Sequence, residues 1–210
     1  LWTLEELGID YDVVSMQFPP RYFEPGFKDM NVLGTVPYFV DGATHMTESS
    51  GICHYLVERY AEQAEALGLS LKPDHAEYGD YLNWLYHSDA TLLFPQTVVI
   101  RYTQFEPEER RSPQVAEDYR KWYHARLRKL DAHIQDRTFL VANRFTIADI
   151  AVGYALYFGE SQGLDKDYTP QVKAYLARLK ERAALKRIQA VGEELSPFLH
   201  PELLTNPAKK

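Results

Sequence analysis

The chain has 210 residues, 45% hydrophobic and 25% charged, an ordinary globular composition with length enough for one large or two small cores. Its formal net charge of -7 argues against a nucleic-acid or anionic-membrane partner, because neither tolerates an acidic surface without a compensating basic patch. The one cysteine, Cys53, excludes an internal disulfide framework or a CxxC redox pair and predicts a reducing, cytoplasmic setting.

The 7 histidines lie at unrelated spacings and predict no metal site. No stretch approaches the ~20 apolar residues of a membrane span. Arg120, Lys121, Arg126, Arg128 and Lys129 fall inside a helical pattern and read as a solvated face mixed with acidic residues.

In chain order, LWTLEELG reads as the body of a helix stopped by Gly8, with no cap or strand ahead of it, so natural sequence is expected to precede Leu1. Ile9 to Met16 alternates weakly, with Tyr11, Val13 and Val14 supplying β-propensity, and predicts a strand. PPRYFEPG then predicts a loop. VPYFVDGATHMT reads as a hairpin turning at Asp41-Gly42, and ESSGICHYLVERYAEQA as a helix with Ser49 or its neighbours as cap.

The turn-rich GLSLKPD marks a domain boundary: residues 1–64, a linker over 65–73, and 74–210. Helices are expected over about 75–104, 112–136, 146–161 and 170–191. The tail SPFLHPELLTNPAKK, with its prolines and terminal charge, reads as a frayed terminus.

Three local patterns carry chemistry or stability. At Val36-Pro37 a cis peptide would turn the Val36 N–H and C=O outward to pair with a peptide ligand, whereas a trans proline would simply start a strand. Glu48-Ser49 falls at a helix N-terminus, where the free N–H groups favour an anion and the carboxylate an ammonium; the alternative is a plain cap. Thr146 and Asp149 have capping-box spacing, and their expected role is stability.

These segments, in this order, resemble the cytosolic glutathione transferase family. NVLGTVPYFVDGATHMTESSGICHYLVERY is similar to its glutathione-site signature, FLVANRFTIADIAVGYAL to its helical-domain signature, and LWTLEELGIDYDVV to its first helix and second strand. The resemblance implies an α/β thioredoxin-like N-terminal domain, its first strand apparently missing, followed by an all-α helical domain.

It further implies glutathione as co-substrate, no metal, a homodimer, and Thr35, Val36, Pro37, Glu48 and Ser49 as glutathione-binding residues, with Lys28 or Thr35 at the glycine carboxylate. The Tyr, Ser or Cys that activates sulfur is expected N-terminal to Leu1. Cys53, inside a helix, reads as structural. Asn143 is expected to take the positive φ of a glycine that relatives carry.

A small hydrophobic electrophile would lie against YGDYLNWLYHSDATLLFP, where spacing puts Asn83, His87, Ala90 and Phe94 on one face. His87 and Phe94 are the pocket candidates, and Asn83 a contact to a partner subunit's glutathione. The expected activity is conjugation of the glutathione thiolate to the electrophile. The alternatives are glutathione-dependent disulfide reduction, dehalogenation, ether cleavage or isomerisation, or a non-catalytic glutathione-binding scaffold.

Overall fold

LWTLEELG forms helix α1 (Trp2–Leu7), which ends at Gly8 in the left-handed region with φ 68°. The computed structural model describes residues 1–195, so the expected frayed terminus SPFLHPELLTNPAKK lies outside the described residues. Ile9–Met16 is not the strand its alternation predicts. Among the described residues the sheet holds two strands, and β-propensity without a neighbouring strand to pair with leaves this segment irregular.

The predicted loop contains one single turn, α2 (Pro20–Phe23), and a second, α3 (Phe27–Met30), follows it. Asn31, 4% exposed, then organises the next loop. Its amide donates to the Thr35 carbonyl at 2.8 Å, and its Oδ1 accepts from the Leu33 N–H at 3.2 Å. Gly34 sits there at φ +60°, where an added Cβ would stand 2.5 Å from the Arg21 Cβ, so no other residue fits without backbone movement.

Strands β1 (Phe39–Asp41) and β2 (Thr44–Met46) pair antiparallel, Phe39 opposite Met46 and Asp41 opposite Thr44. The turn residues are therefore Gly42 and Ala43, one position later than the Asp41-Gly42 reading, with Gly42 at φ +58°. Helix α4 (Ser49–Arg59) follows, and the chain bends at Tyr60 into α5 (Ala61–Ala66).

Helix α6 (Tyr78–His87), a π-helical segment Ser88–Leu93, α7 (Phe94–Ile100) and a second π-helical segment Arg101–Phe105 run on from one another, in place of a uniform α-helix over 75–104. Helices α8 (Pro113–His133) and α9 (Ile147–Ser161) lie close to their expected spans. The helix expected over 170–191 is two, α10 (Pro170–Lys180) and α11 (Ala183–Leu195). They part at Glu181–Arg182, where the Arg182 guanidinium reaches Glu6 of α1 with bonds of 2.6 and 2.7 Å and lies 3.5 Å from the centre of the Phe145 ring.

The core centres on α9, whose Ile147, Ala148, Val152, Ala155 and Leu156 are fully enclosed. Trp2, Leu4, Leu56 and Val57 of the N-terminal half join the same apolar cluster as Trp84, Leu85, Tyr123 and Tyr175. Burying each such large side chain contributes about 1.5–3 kcal/mol, so the two halves share one source of stability. The connector belongs to this core as well: Leu69 and Leu71 are buried, and the Leu69 carbonyl accepts the Ile147 N–H at 2.9 Å, one of the free donors of the first turn of α9. No described helix is long and apolar enough to cross a membrane.

Candidate functional site

The hairpin delivers the chain to the N-terminus of α4. Glu48 is the N-cap residue in extended backbone, its side chain exposed and making no cap bond; its carboxylate accepts from Thr47 Oγ1 at 3.3 Å. The cap comes instead from the helical half. Ser49 Oγ donates to Asp89 Oδ1 at 3.1 Å, and the Ser50 N–H donates to Asp89 Oδ2 at 3.2 Å. A carboxylate at this position also meets the positive end of the α4 dipole.

Beneath this surface contact runs a buried polar joint. Ser50 Oγ lies 3.0 Å from the Leu85 carbonyl and 3.2 Å from Ser88 Oγ, which in turn lies 2.8 Å from the same carbonyl. Ser50 and Ser88 are 2% and 0% exposed, so the hydrogen bonds are what make their burial tolerable. Asp89 and Ser88 escape a reading of the sequence because their partners lie about 40 residues away. The one signal is two polar residues interrupting an aromatic and aliphatic helical run.

Thr35, Val36 and Pro37 line an exposed segment leading into β1, and the Val36–Pro37 peptide is cis. Lys28 is exposed on α3. Asn83 is exposed on α6. His87 and Phe94 are not brought to Glu48 and Ser49. The His87 ring lies 5.2 Å from Trp84, and its Nε2 is buried with no partner among the described residues. Burial first, then the positive charges of Lys129 and Arg126 on α8, pull its pKa down to about 4. Phe94 lies edge-on to Tyr119 and Trp122 of α8 at 6.1 and 6.2 Å. Helical spacing does group His87 with Phe94, but their face turns to α8, and α4 is met by Leu85, Ser88 and Asp89.

Tyr154 and Phe158 of α9 stack at 6.2 Å with planes 8° apart. Tyr154 keeps 49% of its surface accessible, yet burial first and the Asp89 carboxylate second push its hydroxyl pKa up. The exposed ring stands on α9 within reach of the Asp89 carboxylate.

Two further expectations concern support of the site. Thr3 Oγ1 donates to Cys53 Sγ at 3.2 Å, and burial pushes the Cys53 thiol up, so it is held as a thiol. A reciprocal capping box closes α9: the Thr146 N–H donates to Asp149 Oδ2 at 2.9 Å, and its hydroxyl accepts from the Ala148 N–H at 3.3 Å. In the turn before it, Ala142 and Asn143 both take positive φ, each at 50°.

A hairpin running into a helix, joined to an all-helical half that caps that helix, is the arrangement of a thioredoxin-like domain on a helical partner domain. Residues 1–59 match the family model of the glutathione S-transferase N-terminal domain, and residues 93–183 that of the glutathione S-transferase C-terminal domain. The chain is 26% identical over 198 residues to a probable glutathione S-transferase GSTF1 of Oryza sativa, covering 91% of this chain and 89% of the relative. It is 29% identical over 216 residues to glutathione S-transferase 2 of Schizosaccharomyces pombe, covering 92% and 89%.

Among solved structures, the glutathione transferase URE2P6 of Phanerochaete chrysosporium, in complex with oxidized glutathione, superposes with a TM-score of 0.80 at 24% identity, covering 93% and 90%. A theta class glutathione S-transferase of Xanthomonas axonopodis pv. citri with glutathione bound superposes at 0.75 and 25% identity, covering 89% and 88%. The two family models together span well over half of the chain. The chain belongs to the glutathione S-transferase family.

Proposed function

We propose that the chain is a glutathione transferase that binds glutathione along Thr35, Val36 and Pro37 and at Glu48 and Ser49, and joins its sulfur to small hydrophobic electrophiles. The observation that carries this reading is the α4 N-terminus: an exposed carboxylate on Glu48 and a half-exposed Ser49 hydroxyl beside helix-end N–H groups, within a fold matched to this family at both ends. A γ-glutamyl group carries one ammonium and one carboxylate on the same carbon, and such a helix end offers a partner to each. The exposed Thr35–Pro37 segment offers main-chain groups to the rest of the tripeptide.

The electrophile is assigned to the exposed Tyr154–Phe158 ring pair of α9, an apolar surface on the Asp89 side of the helix. Holding both reactants accounts for rate through proximity, as the sulfur forms a new bond to carbon and the electrophile loses its leaving group or takes up a proton. The assignment extends to a glutathione-binding unit over 1–64, a connector over 65–73 and a helical unit beyond, acting as a cytoplasmic homodimer in detoxification. A second reading, glutathione-dependent dehalogenation, is favoured by 26% identity over 222 residues to a tetrachloro-p-hydroquinone reductive dehalogenase of Sphingobium chlorophenolicum.

Calorimetric titration of glutathione into the full-length protein and its Glu48→Ala variant tests the reading. A charge-assisted contact worth ~1.5–3 kcal/mol corresponds to a loss of tenfold or more in affinity. Absence of binding by the wild type would overturn the assignment. Turnover of an aryl halide against a chlorinated hydroquinone then separates conjugation from dehalogenation.

A further inference from the structure

A line of contacts runs round the candidate site and closes on itself. From Ser49 it crosses to Asp89 by the 3.1 Å hydrogen bond and follows the helical run through α7 to Phe105. There it crosses back, for the rings of Phe105 and Phe18 lie 5.3 Å apart with their planes tilted by 47°. From Phe18 it passes into α2, where Arg21 packs against Gly34, and so to Thr35–Pro37 and along the hairpin to Glu48. The two crossings between the halves are unequal. Ser49 and Ser50 meet Asp89 through hydrogen bonds, whereas the bonds of the Phe18 segment stay within it: the Gln17 N–H donates to Glu24 Oε1 at 2.8 Å and the Tyr22 N–H to the Pro19 carbonyl at 3.0 Å. Among the described residues, no hydrogen bond or ion pair joins Gln17–Glu24 to the helical half. We propose that Phe18 and Phe105 form a gate in this circuit, which opens to let glutathione and its conjugates enter and leave.

The inference rests on the glutathione reading of Thr35–Pro37, Glu48 and Ser49, and concerns how a ligand reaches them. Phe105 is the fixed leaf. The next residue, Glu106, is 9% exposed; its carboxylate accepts from Arg101 Nε at 2.7 Å and pairs with Arg110 at 3.2 Å, and its carbonyl accepts from Arg111 Nε at 3.1 Å. Phe18 is the leaf that moves. It is 39% exposed and comes shortly after Asp12–Ser15, four exposed residues that belong to no element, and chain with so few buried contacts opens most readily. Two aromatic rings suit this task. They attract one another through dispersion and their quadrupoles, yet parting them strands no polar group, whereas parting Ser50 from Asp89 would leave a main-chain donor unpaired. The circuit therefore opens at Phe18 and holds at Asp89.

The test uses the full-length protein, Phe18→Ala, Phe105→Ala and the double variant, with S-(2,4-dinitrophenyl)glutathione as probe. Stopped-flow quenching of tryptophan emission by the dinitrophenyl group gives the association and dissociation rates separately. A gate alters the barrier and not the end states, so both rates should rise together, by about fivefold, while Kd stays within about twofold. Fivefold corresponds to about 1 kcal/mol, the scale of one aromatic pair. Removing either ring opens the gate, so the double variant should be no faster than the singles. Phe18→Leu, which keeps an apolar contact, should fall between wild type and Phe18→Ala, and should still fold if the alanine variant does not. Rates unchanged in Phe18→Ala and Phe105→Ala would overturn the gate. So would faster dissociation with unchanged association and weakened binding, since that is what a wall of the ligand pocket gives. Wild type that binds neither the probe nor glutathione would instead overturn the glutathione reading, and the gate with it.

Discussion

Asp149→Ala should be among the most damaging single substitutions in the chain, although Asp149 touches no ligand in any reading of the site. Its carboxylate is fully enclosed and accepts four hydrogen bonds: from the Thr146 N–H at 2.9 Å, the Thr146 hydroxyl at 3.2 Å, the Leu140 N–H at 3.0 Å and the Tyr175 hydroxyl at 2.8 Å. Loss of an N-terminal cap alone costs about 1 kcal/mol. Here truncation also strands the buried Leu140 N–H and the buried Tyr175 phenol, at ~1–3 kcal/mol for each that finds no other acceptor. The expected loss is about 3–5 kcal/mol, and for a chain of this size each kcal/mol moves the melting temperature by roughly 2–4 °C.

Thermal unfolding followed by circular dichroism, with urea unfolding beside it, measures this directly. Asp149→Asn should rescue little, because each carboxylate oxygen faces one fixed main-chain N–H and an amide can answer only one of them. Tyr175→Phe, which removes a donor and leaves the carboxylate with three others, should cost only about 1 kcal/mol. An Asp149→Ala loss below 1 kcal/mol, or an Asp149→Asn variant as stable as wild type, would refute the reasoning.

Three other outcomes follow from particular atoms. Ala142 holds φ 50°, a conformation costing a side chain about 1–2 kcal/mol, so Ala142→Gly should raise the melting temperature despite the looser unfolded chain; a lowered value would count against the strain. The Tyr81 hydroxyl is buried without a partner among the described residues, and Tyr81→Phe should be neutral or stabilising by about 1 kcal/mol in urea unfolding, a clear destabilisation being the contrary result. His87 binds its proton near pH 4 when folded and near 6.5 when unfolded, so its contribution to stability is full above pH 6.5 and is lost as pH falls toward 4. The acid limb of a stability profile should therefore flatten over that interval in His87→Phe, and an unaltered limb would show that His87 titrates normally.

What the sequence discloses is what depends on near neighbours. The hairpin, the Gly8 stop, the α4 start and the Thr146–Asp149 box rest on contacts within a few residues, and composition records them. Ile9–Met16 fails for the opposite reason: a strand is completed by a distant segment, and alternation in one segment says nothing of whether that partner is beside it. The break at Glu181–Arg182 is set by Glu6, 176 residues earlier, and no local helix breaker marks it.

The candidate site divides the same way. Glu48, Ser49 and the Val36-Pro37 segment are legible because one stretch of chain carries them. Asp89 is not, because its meaning lies in a hydrogen bond between the two halves. Spacing groups His87 with Phe94, but periodicity gives relative faces and not which face meets which neighbour.

Three of the links between the halves show why the candidate site and the fold are hard to separate here. The bonds of Ser50 to the Leu85 carbonyl and Ser88 fix α4 against α6 and the π-helical segment after it, the Leu69–Ile147 bond fixes the connector against α9, and Glu6 holds Arg182. This last pair differs from an exposed ion pair. The Glu6 side chain is 10% exposed, and it accepts from the Trp2 indole at 2.9 Å as well as from two guanidinium nitrogens, so its remaining lone pairs are satisfied in a place water barely reaches. Breaking it would leave a buried carboxylate, not merely remove a weak attraction. Since Ser49 is the immediate neighbour of Ser50, any shift between the halves moves the N-terminus of α4 relative to Asp89. The site is thus held in register by the same contacts that hold the fold, and its geometry should degrade before the protein unfolds.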